Sequence, residues 1–194
     1  SRPDMIDFSD TGIPKVKLIT PRRFGDSRGW FSETWTKPKM AAAGLDFDFM
    51  QDNHSYSAQT HTLRGLHYQA PPYAQTKLVR VARGAVLDVA VDVRVGSPTY
   101  LKWVSAELSA ENGAQLLVPQ GFLHGFLTLL PDTEVLYRVD APYSSEADGA
   151  VRFDDPMLGV DWSIDPAKAI LSDKDAAAPA FTDFDNPFTY EASS

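Results

Sequence analysis

The stretch Lys77-Leu-Val-Arg-Val-Ala-Arg-Gly-Ala-Val-Leu-Asp-Val-Ala-Val-Asp92 decides the fold class of this chain. Its two β-branched runs meet at Arg83-Gly84, so the sequence predicts an antiparallel hairpin in which Val79 lies opposite Asp88. Alternation of side chains sorts this hairpin into two faces. One face carries Leu87, Val89, Val91 and Val93, and the other carries Lys77, Val79, Val81, Asp88 and Asp92. The second face fits either an ordinary exposed Lys-Asp pair or the inside of a barrel cavity, and the pattern leaves both open.

Short segments rich in β-branched and aromatic residues, bounded by turn residues, recur along the chain. Further strands are predicted at residues 15–20, 30–35, 100–108, 114–118, 124–130 and 134–139. Helical signals are confined to residues 37–43, which end at Gly44, and to residues 166–170. Many strands with few helices predict an all-β jelly roll, in which inward-facing residues can line a ligand cavity.

The composition excludes several classes of function. The length of 194 residues, with 43% hydrophobic and 23% charged residues, is typical of one globular domain. The net charge of -8 argues against binding nucleic acid through a broad basic face, and the absence of Cys excludes disulfides and thiolate chemistry. The sequence shows neither an apolar stretch long enough for a membrane helix nor a basic and apolar leader, so a cytoplasmic location without membrane contact is expected.

A second informative pattern is Gly113-x5-Pro119-x-Gly121-x2-His124, in which a Pro-Gly turn sends a histidine back along the next strand. Its spacing resembles the second signature of the cupin superfamily, although Thr128 replaces the usual Asn. Alternation places Phe122, His124 and Phe126 on one face.

Metal binding would be ordinary in a cupin, since His and carboxylate ligands suit several transition metals. The first cupin signature is incomplete here, because His67-Tyr68-Gln69 is followed by Pro71-Pro72 without a nearby Glu. No metal and no cofactor are therefore expected, and the chemistry must come from proton transfer and fixed charges.

Seven segments in order resemble the dTDP-4-dehydrorhamnose 3,5-epimerase family. They are Asp26-Ser-Arg28-Gly-Trp-Phe31-Ser-Glu33, Gln51-Asp-Asn53-His-Ser55, Leu63-Arg64-Gly-Leu-His67-Tyr-Gln69, Gln75-Thr-Lys77-Leu-Val-Arg, Pro119-Gln-Gly-Phe-Leu-His124-Gly-Phe126, Glu134-Val-Leu-Tyr137 and Leu171-Ser-Asp-Lys174-Asp175. The resemblance covers about residues 15–175 of a single domain, 1–194, and leaves 176–194 as an extension over the surface. It implies a cupin-type jelly-roll barrel with a few short peripheral helices, and usually a homodimer.

The resemblance also implies an isomerase of carbohydrate biosynthesis that works without a cofactor. Such an enzyme inverts C3 and C5 of dTDP-4-dehydro-6-deoxy-D-glucose and gives dTDP-4-dehydro-L-rhamnose, a precursor of L-rhamnose. The C4 ketone acidifies both C–H bonds, so the reaction needs a base, an oxyanion stabiliser and an acid across the ring.

Five residues match the catalytic positions of the family. His67 matches the base, and Asp175 matches the carboxylate that fixes its tautomer and stabilises the imidazolium. Lys77 would place positive charge beside the developing enolate, and His124 would add a donor there. Tyr137 matches the acid on the far face.

The remaining matches concern substrate binding. Arg28 and Arg64 match positions that hold the pyrophosphate, which suits the bidentate geometry of Arg. Further substrate-binding positions are Glu33, Gln51, Asn53, Asp88, Tyr143 and Lys174. In the family, the strand with the counterparts of Arg28 and Glu33 reaches the site of the neighbouring subunit.

Two details set further expectations. Arg64 and His67 have opposite parity, so a bulge or bend near Gly65 is needed to aim both inward. Ser145 and Asp148 depart from the Pro and Glu common at the rim in the family. The alternatives are a 3- or 5-monoepimerase for a related dTDP-keto sugar, and, in another class, a metal-dependent cupin oxygenase or a non-catalytic sugar-binding cupin.

Overall fold

A computed structural model describes residues 6–192 of the chain. The strands are β1 (Ile6–Asp10), β2 (Lys17–Pro21), β3 (Phe24–Asp26), β4 (Gly29–Phe31), β5 (Gln51–Ser57), β6 (Leu63–Gln69), β7 (Lys77–Arg83), β8 (Ala85–Asp92), β9 (Trp103–Ser109), β10 (Gln115–Val118), β11 (Phe122–Thr128), β12 (Thr133–Val139) and β13 (Asp148–Ala150). The helices are α1 (Lys37–Ala42) and α2 (Asp173–Ala176), and single 3₁₀ turns lie at Pro166–Lys168 and Phe181–Asp183.

The strands form two facing sheets and one small hairpin. The six-stranded sheet has the order β1-β2-β10-β7-β12-β5, and the five-stranded sheet has the order β13-β6-β11-β8-β9. The separate hairpin consists of β3 and β4. This two-sheet antiparallel architecture confirms the predicted all-β jelly roll with short peripheral helices.

Apolar side chains fill the space between the sheets and cover both outer faces. The inner cluster joins Val79 and Val135 of one sheet to Val86, Phe122 and Phe126 of the other. The outer face of the five-stranded sheet carries Val89, Val91 and Leu123, and the segment from residue 151 to 188 packs over it through Phe153, Trp162 and Phe188. Around α1, Met40 packs on Ile19, Leu78 and Leu117 of the six-stranded sheet. The space between the two sheets is therefore enclosed by a rigid, closely packed shell.

The predicted hairpin across Arg83-Gly84 is wrong. Strand β7 pairs with β10 and β12, whereas β8 pairs with β11 and β9, so the chain changes sheets at Gly84. The assignment of residues to faces is nevertheless confirmed, because Val79 and Val86 belong to the inner cluster, and Val89 and Val91 belong to the outer one. Lys77 and Asp88 thus face the interior from opposite sheets and are not neighbours within one sheet.

The expected irregularity near Gly65 is present. In the pairing of β6 with β11, His67 lies opposite His124 and Arg64 lies opposite Phe126, so β6 contains one extra residue between these pairs. This bulge corrects the parity and lets both Arg64 and His67 line the same cavity.

Several boundaries differ from the prediction. Residues 30–35 were predicted as a strand, but only Gly29–Phe31 is extended, and its short hairpin partner is Phe24–Asp26. The sequence does not predict strand Gln51–Ser57, which has no β-branched residue, or β1, in which Ile6 is the one β-branched residue of five. Among residues 6–192, no helix is long and apolar enough to cross a membrane.

Candidate active site

A cavity of about 410 Å³ opens between the two sheets. Strands of both sheets and helix α2 provide its walls. The lining residues are Ser55, Thr62, Leu63, Arg64, His67, Lys77, His124, Phe126, Tyr137, Asp148, Ser172, Lys174 and Asp175. All five predicted catalytic residues therefore lie in one cavity, although they come from positions 67 to 175 of the chain.

The best-defined pair is His67 and Asp175. His67 Nε2 lies 2.7 Å from Asp175 Oδ1, and the backbone N–H of Gly65 donates to Asp175 Oδ2 at 3.1 Å. Burial raises the pKa of the Asp175 carboxyl, but the hydrogen bond and charge of His67 outweigh it, so the pKa lies below its ordinary value. Because an ionised carboxylate only accepts, Nε2 of His67 donates this hydrogen bond, and Nδ1 is the ring nitrogen that remains for a proton transfer.

Helix α2 positions this carboxylate. Its N-cap is Ser172, whose hydroxyl accepts a hydrogen bond from the backbone N–H of Asp175 at 3.1 Å. Ser172 therefore caps the helix, and Asp175 points inward with only 6% of its side chain exposed.

Lys77 provides a buried cation on the opposite wall. Burial lowers the pKa of Lys77 to about 8, while the carboxylates of Asp88 and Asp148 act to raise it. Its ammonium lies 5.7 Å from the centre of the Tyr137 ring. Among residues 6–192, Lys77 has no hydrogen-bond or ion-pair partner, so its donors are available to a bound molecule.

His124 and Asp88 form a second His-Asp pair behind the first. His124 Nε2 lies 2.7 Å from Asp88 Oδ1, and both side chains are almost completely buried. Burial lowers the pKa of His124 against the opposing influence of Asp88, and Lys77 lowers it further. A neutral ring that donates from Nε2 presents only an acceptor at Nδ1, so donation to an oxyanion would require the imidazolium.

Tyr137 lies on β12, across the cavity from His67 on β6. Burial raises the pKa of its phenol, and the hydrogen bond of Asn53 and the charge of Arg64 act against this increase. Asn53 is the cross-strand neighbour of Tyr137 and accepts a hydrogen bond from Gln51 Nε2 at 2.9 Å. The phenol is thus held protonated and oriented.

Two cations lie nearer the mouth. Arg64 donates from Nε to Ser57 Oγ at 3.2 Å and from Nη2 to the carbonyl of Tyr56 at 3.0 Å. Lys174 is more exposed and forms an ion pair with Asp148 at 2.6 Å. Arg64 is therefore anchored to β5, whereas Lys174 is held by one carboxylate.

Other predicted residues lie beside the cavity or away from it. Gln51 also accepts a hydrogen bond from the backbone N–H of Tyr143, which places exposed Tyr143 next to the Asn53 side of the site. Arg28 pairs with Asp26, and Glu33 pairs with Lys39; neither Arg28 nor Glu33 lines the cavity of its own chain.

Sequence reasoning missed several lining residues, among them Ser55, Thr62 and Ser172. Ser55 and Ser172 stood inside quoted motifs, and the buried Ser55 hydroxyl has no hydrogen-bond partner in the described part of the chain. Asp148 was noted only as a departure at the rim, and no local signal marks Thr62. Within residues 6–192, no three His, Asp or Glu side chains are grouped as a metal site would require.

Comparison with known proteins gives consistent results. A family model described as dTDP-4-dehydrorhamnose 3,5-epimerase matches residues 10–183. The enzyme of that name from Sinorhizobium fredii is 53% identical over 191 residues, which are 96% of this chain and 95% of the relative.

Two solved structures are also similar. One is a dTDP-4-dehydrorhamnose 3,5-epimerase from Bacillus anthracis with TDP and PPi bound; it is 46% identical with a TM-score of 0.88, and the match covers 91% of this chain and 99% of that one. The other is a dTDP-6-deoxy-D-glucose-3,5-epimerase from Legionella pneumophila in complex with dTDP-4-keto-L-rhamnose. It is 39% identical with a TM-score of 0.92, and the match covers 97% and 100% of the two chains.

The fold and the cavity together define the class, a cupin-type jelly roll with ionisable side chains in a cavity between its sheets. The matches over most of the chain identify the particular group within that class. The chain belongs to the dTDP-4-dehydrorhamnose 3,5-epimerase family.

Proposed function

We propose that this protein is an isomerase that inverts C3 and C5 of dTDP-4-dehydro-6-deoxy-D-glucose and forms dTDP-4-dehydro-L-rhamnose, a precursor of L-rhamnose. The observation that carries the proposal is the cavity itself. An imidazole and a phenol line it from opposite sheets, and a buried ammonium lies beside the phenol. No cofactor is part of the proposal, because proton transfer is sufficient for the reaction.

The base in this mechanism is His67. Its Nδ1 removes the proton from C3 or C5, and the electron pair of the broken C–H bond forms a C=C bond as the C4 carbonyl becomes an enolate. Asp175 stabilises the resulting imidazolium through the 2.7 Å hydrogen bond to Nε2.

The enolate oxygen is assigned to Lys77. Its ammonium has no other partner in the described chain, and a buried cation stabilises a developing negative charge far better than an exposed one. The Asp88 carboxylate, which is hydrogen-bonded to His124, supports Lys77 because it favours the charged form of the lysine. This assignment replaces the donor role expected for His124.

Inversion requires that the proton return from the other face of the ring. Tyr137 donates it to the carbon, the C=C bond breaks, and the C4 ketone is restored. Exchange with solvent then returns His67 and Tyr137 to their starting protonation states. The same base and acid act at C3 and C5 if the ring can present either carbon to His67.

The nucleotide is held by groups around the mouth. Arg64 and Lys174 bind the diphosphate, and Gln51, Asn53 and Tyr143 contact the nucleotide and sugar. Arg28 and Glu33 are proposed to serve the site of a partner subunit.

A homodimer is therefore part of the proposal, and exposed apolar groups support it. The hairpin of β3 and β4 leaves Trp30 and Phe31 58% and 69% exposed. On the outer face of the six-stranded sheet, the buried Trp35 Nε1 and the half-buried Arg80 guanidinium have no hydrogen-bond acceptor within residues 6–192. Buried donors without acceptors are costly, and a second copy of the chain would cover this face.

Incubation with the keto sugar in deuterium oxide tests the function. Deuterium at both C3 and C5, with L-configured product, is expected for the double epimerase. Label and inversion at only one carbon would identify a monoepimerase. A sugar without label after incubation with correctly folded protein would contradict both activities. Metal analysis of the same preparation tests the metal-dependent alternative. The expected cytoplasmic location is tested by fractionating the source cells.

A further inference from the structure

At the mouth of the cavity, a mostly buried aspartate forms an ion pair with a mostly exposed lysine. Asp148 Oδ2 lies 2.6 Å from Lys174 Nζ; the Asp148 side chain is 19% exposed and that of Lys174 is 68% exposed. Asp148 is held in place by its strand, since β13 pairs with β6 and the Asp148 backbone N–H donates to the carbonyl of Ser144. A fixed carboxylate thus holds a long, mobile cation.

This carboxylate is unusual in a site for an anionic substrate. Among residues 6–192, Asp148 and Asp175 are the only acidic side chains that line the cavity, and Asp175 is engaged by His67. The same cavity is also lined by three cations, Arg64, Lys77 and Lys174. Among the acidic side chains within residues 6–192 that line the cavity, Asp148 is therefore the one whose ion-pair partner, Lys174, is also needed to bind an entering diphosphate.

We propose that Asp148 competes with the substrate's diphosphate for Lys174, and so limits how tightly the site holds the nucleotide. This inference rests on the proposed function, because it places a nucleoside diphosphate in the cavity. When Lys174 turns to the phosphate oxygens, Asp148 loses its partner and lies near a second negative group. Like charges at short range oppose binding, so part of the attraction of Lys174 is cancelled.

Two opposing effects must be compared. Asp148 also restricts Lys174, and a preorganised side chain binds with less loss of rotamer freedom. Lys174, however, is mostly exposed and carries three donors on a flexible stem, so it can reach a phosphate without help. The loss of its partner and the repulsion between carboxylate and phosphate are therefore expected to dominate. A moderate affinity favours turnover, because product that is bound too tightly leaves slowly.

The test measures the Kd of dTDP by calorimetry for the wild-type protein, Asp148→Asn, Lys174→Gln and the double variant. Asp148→Asn should tighten dTDP binding roughly two- to fivefold, the scale of one partly exposed charge interaction. Lys174→Gln should weaken it, and Asp148→Asn should have less than about a twofold effect in the Lys174→Gln background. Unchanged or weaker binding by Asp148→Asn overturns the proposal, and so does equal tightening without Lys174.

Controls separate this effect from net charge and from folding. Asp10→Asn removes an exposed carboxylate that pairs with Lys17 outside the cavity, and it should leave the Kd unchanged. Equal tightening there would show a general charge effect and contradict the proposal. Asp148→Glu, which keeps the charge, should bind dTDP as the wild type does.

Kinetics provide a second measurement. For Asp148→Asn, the KM of the keto sugar should fall while kcat does not rise, whereas a merely structural role would raise KM and lower the Tm. If the wild-type protein binds no dTDP, the proposed function fails. If it binds dTDP and Asp148→Asn changes nothing, only this inference fails.

Discussion

The imidazole of His67 and the ammonium of Lys77 acquire their properties in different ways. His67 is partly exposed and has a buried carboxylate on Nε2, which leaves Nδ1 basic and stabilises the imidazolium. Lys77 is buried without a hydrogen-bonded partner in the described chain, so its charge is costly to keep and effective when an oxyanion forms.

Replacement of the base should separate chemistry from binding. We expect His67→Ala to lower solvent exchange at C3 and C5 roughly 10²–10⁴-fold, the usual contribution of a positioned general base. The Kd of dTDP should change little, because the role proposed for His67 is at the sugar ring and not at the nucleotide. Mass spectrometry of sugar recovered from deuterium oxide measures exchange, and persistent exchange would show that the base is misassigned.

Replacement of the acid should affect the second half-reaction. In Tyr137→Phe, His67 can still remove and return a proton on its own face, but the opposite face lacks a donor. Deuterium should therefore enter the recovered substrate while inversion is slowed. Wild-type inversion in this variant, measured by NMR of the product, would rule out Tyr137 as the acid.

The Lys77 ammonium should give the reaction an alkaline limit. Oxyanion stabilisation requires the protonated form, so kcat/KM should fall as the pH rises through about 8. Because Asp88 raises the pKa of Lys77, Asp88→Asn should move this fall to lower pH. The pH profile of both proteins is the measurement, with Asp10→Asn as a control that should leave the profile unchanged. A shift to higher pH in Asp88→Asn would contradict the assignment.

Among the elements, β6 and β11 determine how closely the two histidines approach. At the bulge their backbones touch, and a Cβ added at Gly65 would lie 2.7 Å from the Cα of Gly125 and 2.9 Å from the carbonyl oxygen of His124. Gly65 also has a φ of +138°, which favours glycine. The close contact explains why the Arg64-Gly-Leu-His segment contains glycine at this position.

Gly125 tests this contact without the complication of an unusual φ. A Cβ there would lie 2.8 Å from the carbonyl oxygen of Arg64 and 3.0 Å from the Leu66 side chain. Gly125→Ala should lower the free energy of unfolding by about 1–3 kcal/mol, the range for overpacked sites, and should lower kcat by displacing His67 and His124. Gly12→Ala is the matched control, because its nearest atom lies at an ordinary 3.5 Å. Equal denaturation midpoints for the two variants would contradict this account.

In the whole molecule, the active site depends on the packing of the two sheets against each other. The five-stranded sheet provides His67 and His124, the six-stranded sheet provides Lys77 and Tyr137, and the chain after the barrel returns with Asp175. The proposed dimer extends this sharing across a subunit boundary.

Complementation tests the dimer directly. If Arg28 serves the partner's site, His67→Ala and Arg28→Ala subunits should each be weakly active, and their mixed dimer should regain one intact site. The co-expressed pair, purified with two different tags, should therefore be more active than either parent, and light scattering should give twice the 21.4 kDa chain mass. Activity no higher than that of the parents would place Arg28 in its own chain's site or outside any site.

The linear sequence was sufficient to sort residues onto opposite faces of a strand and to identify the motifs of the family. Alternation correctly separated Val79 and Val86 from Val89, because a period of two depends only on the local backbone, but it left open which of the two faces was the inner one. The same alternation is compatible with a hairpin and with a change of sheet, so the absence of pairing between β7 and β8 is visible in the folded structure alone. The same distinction between local pattern and tertiary contact applies to the candidate site. Motifs identified His67, Lys77 and Tyr137, but the approach of Lys174 to Asp148 arises from packing between distant segments, for which a linear pattern contains no signal.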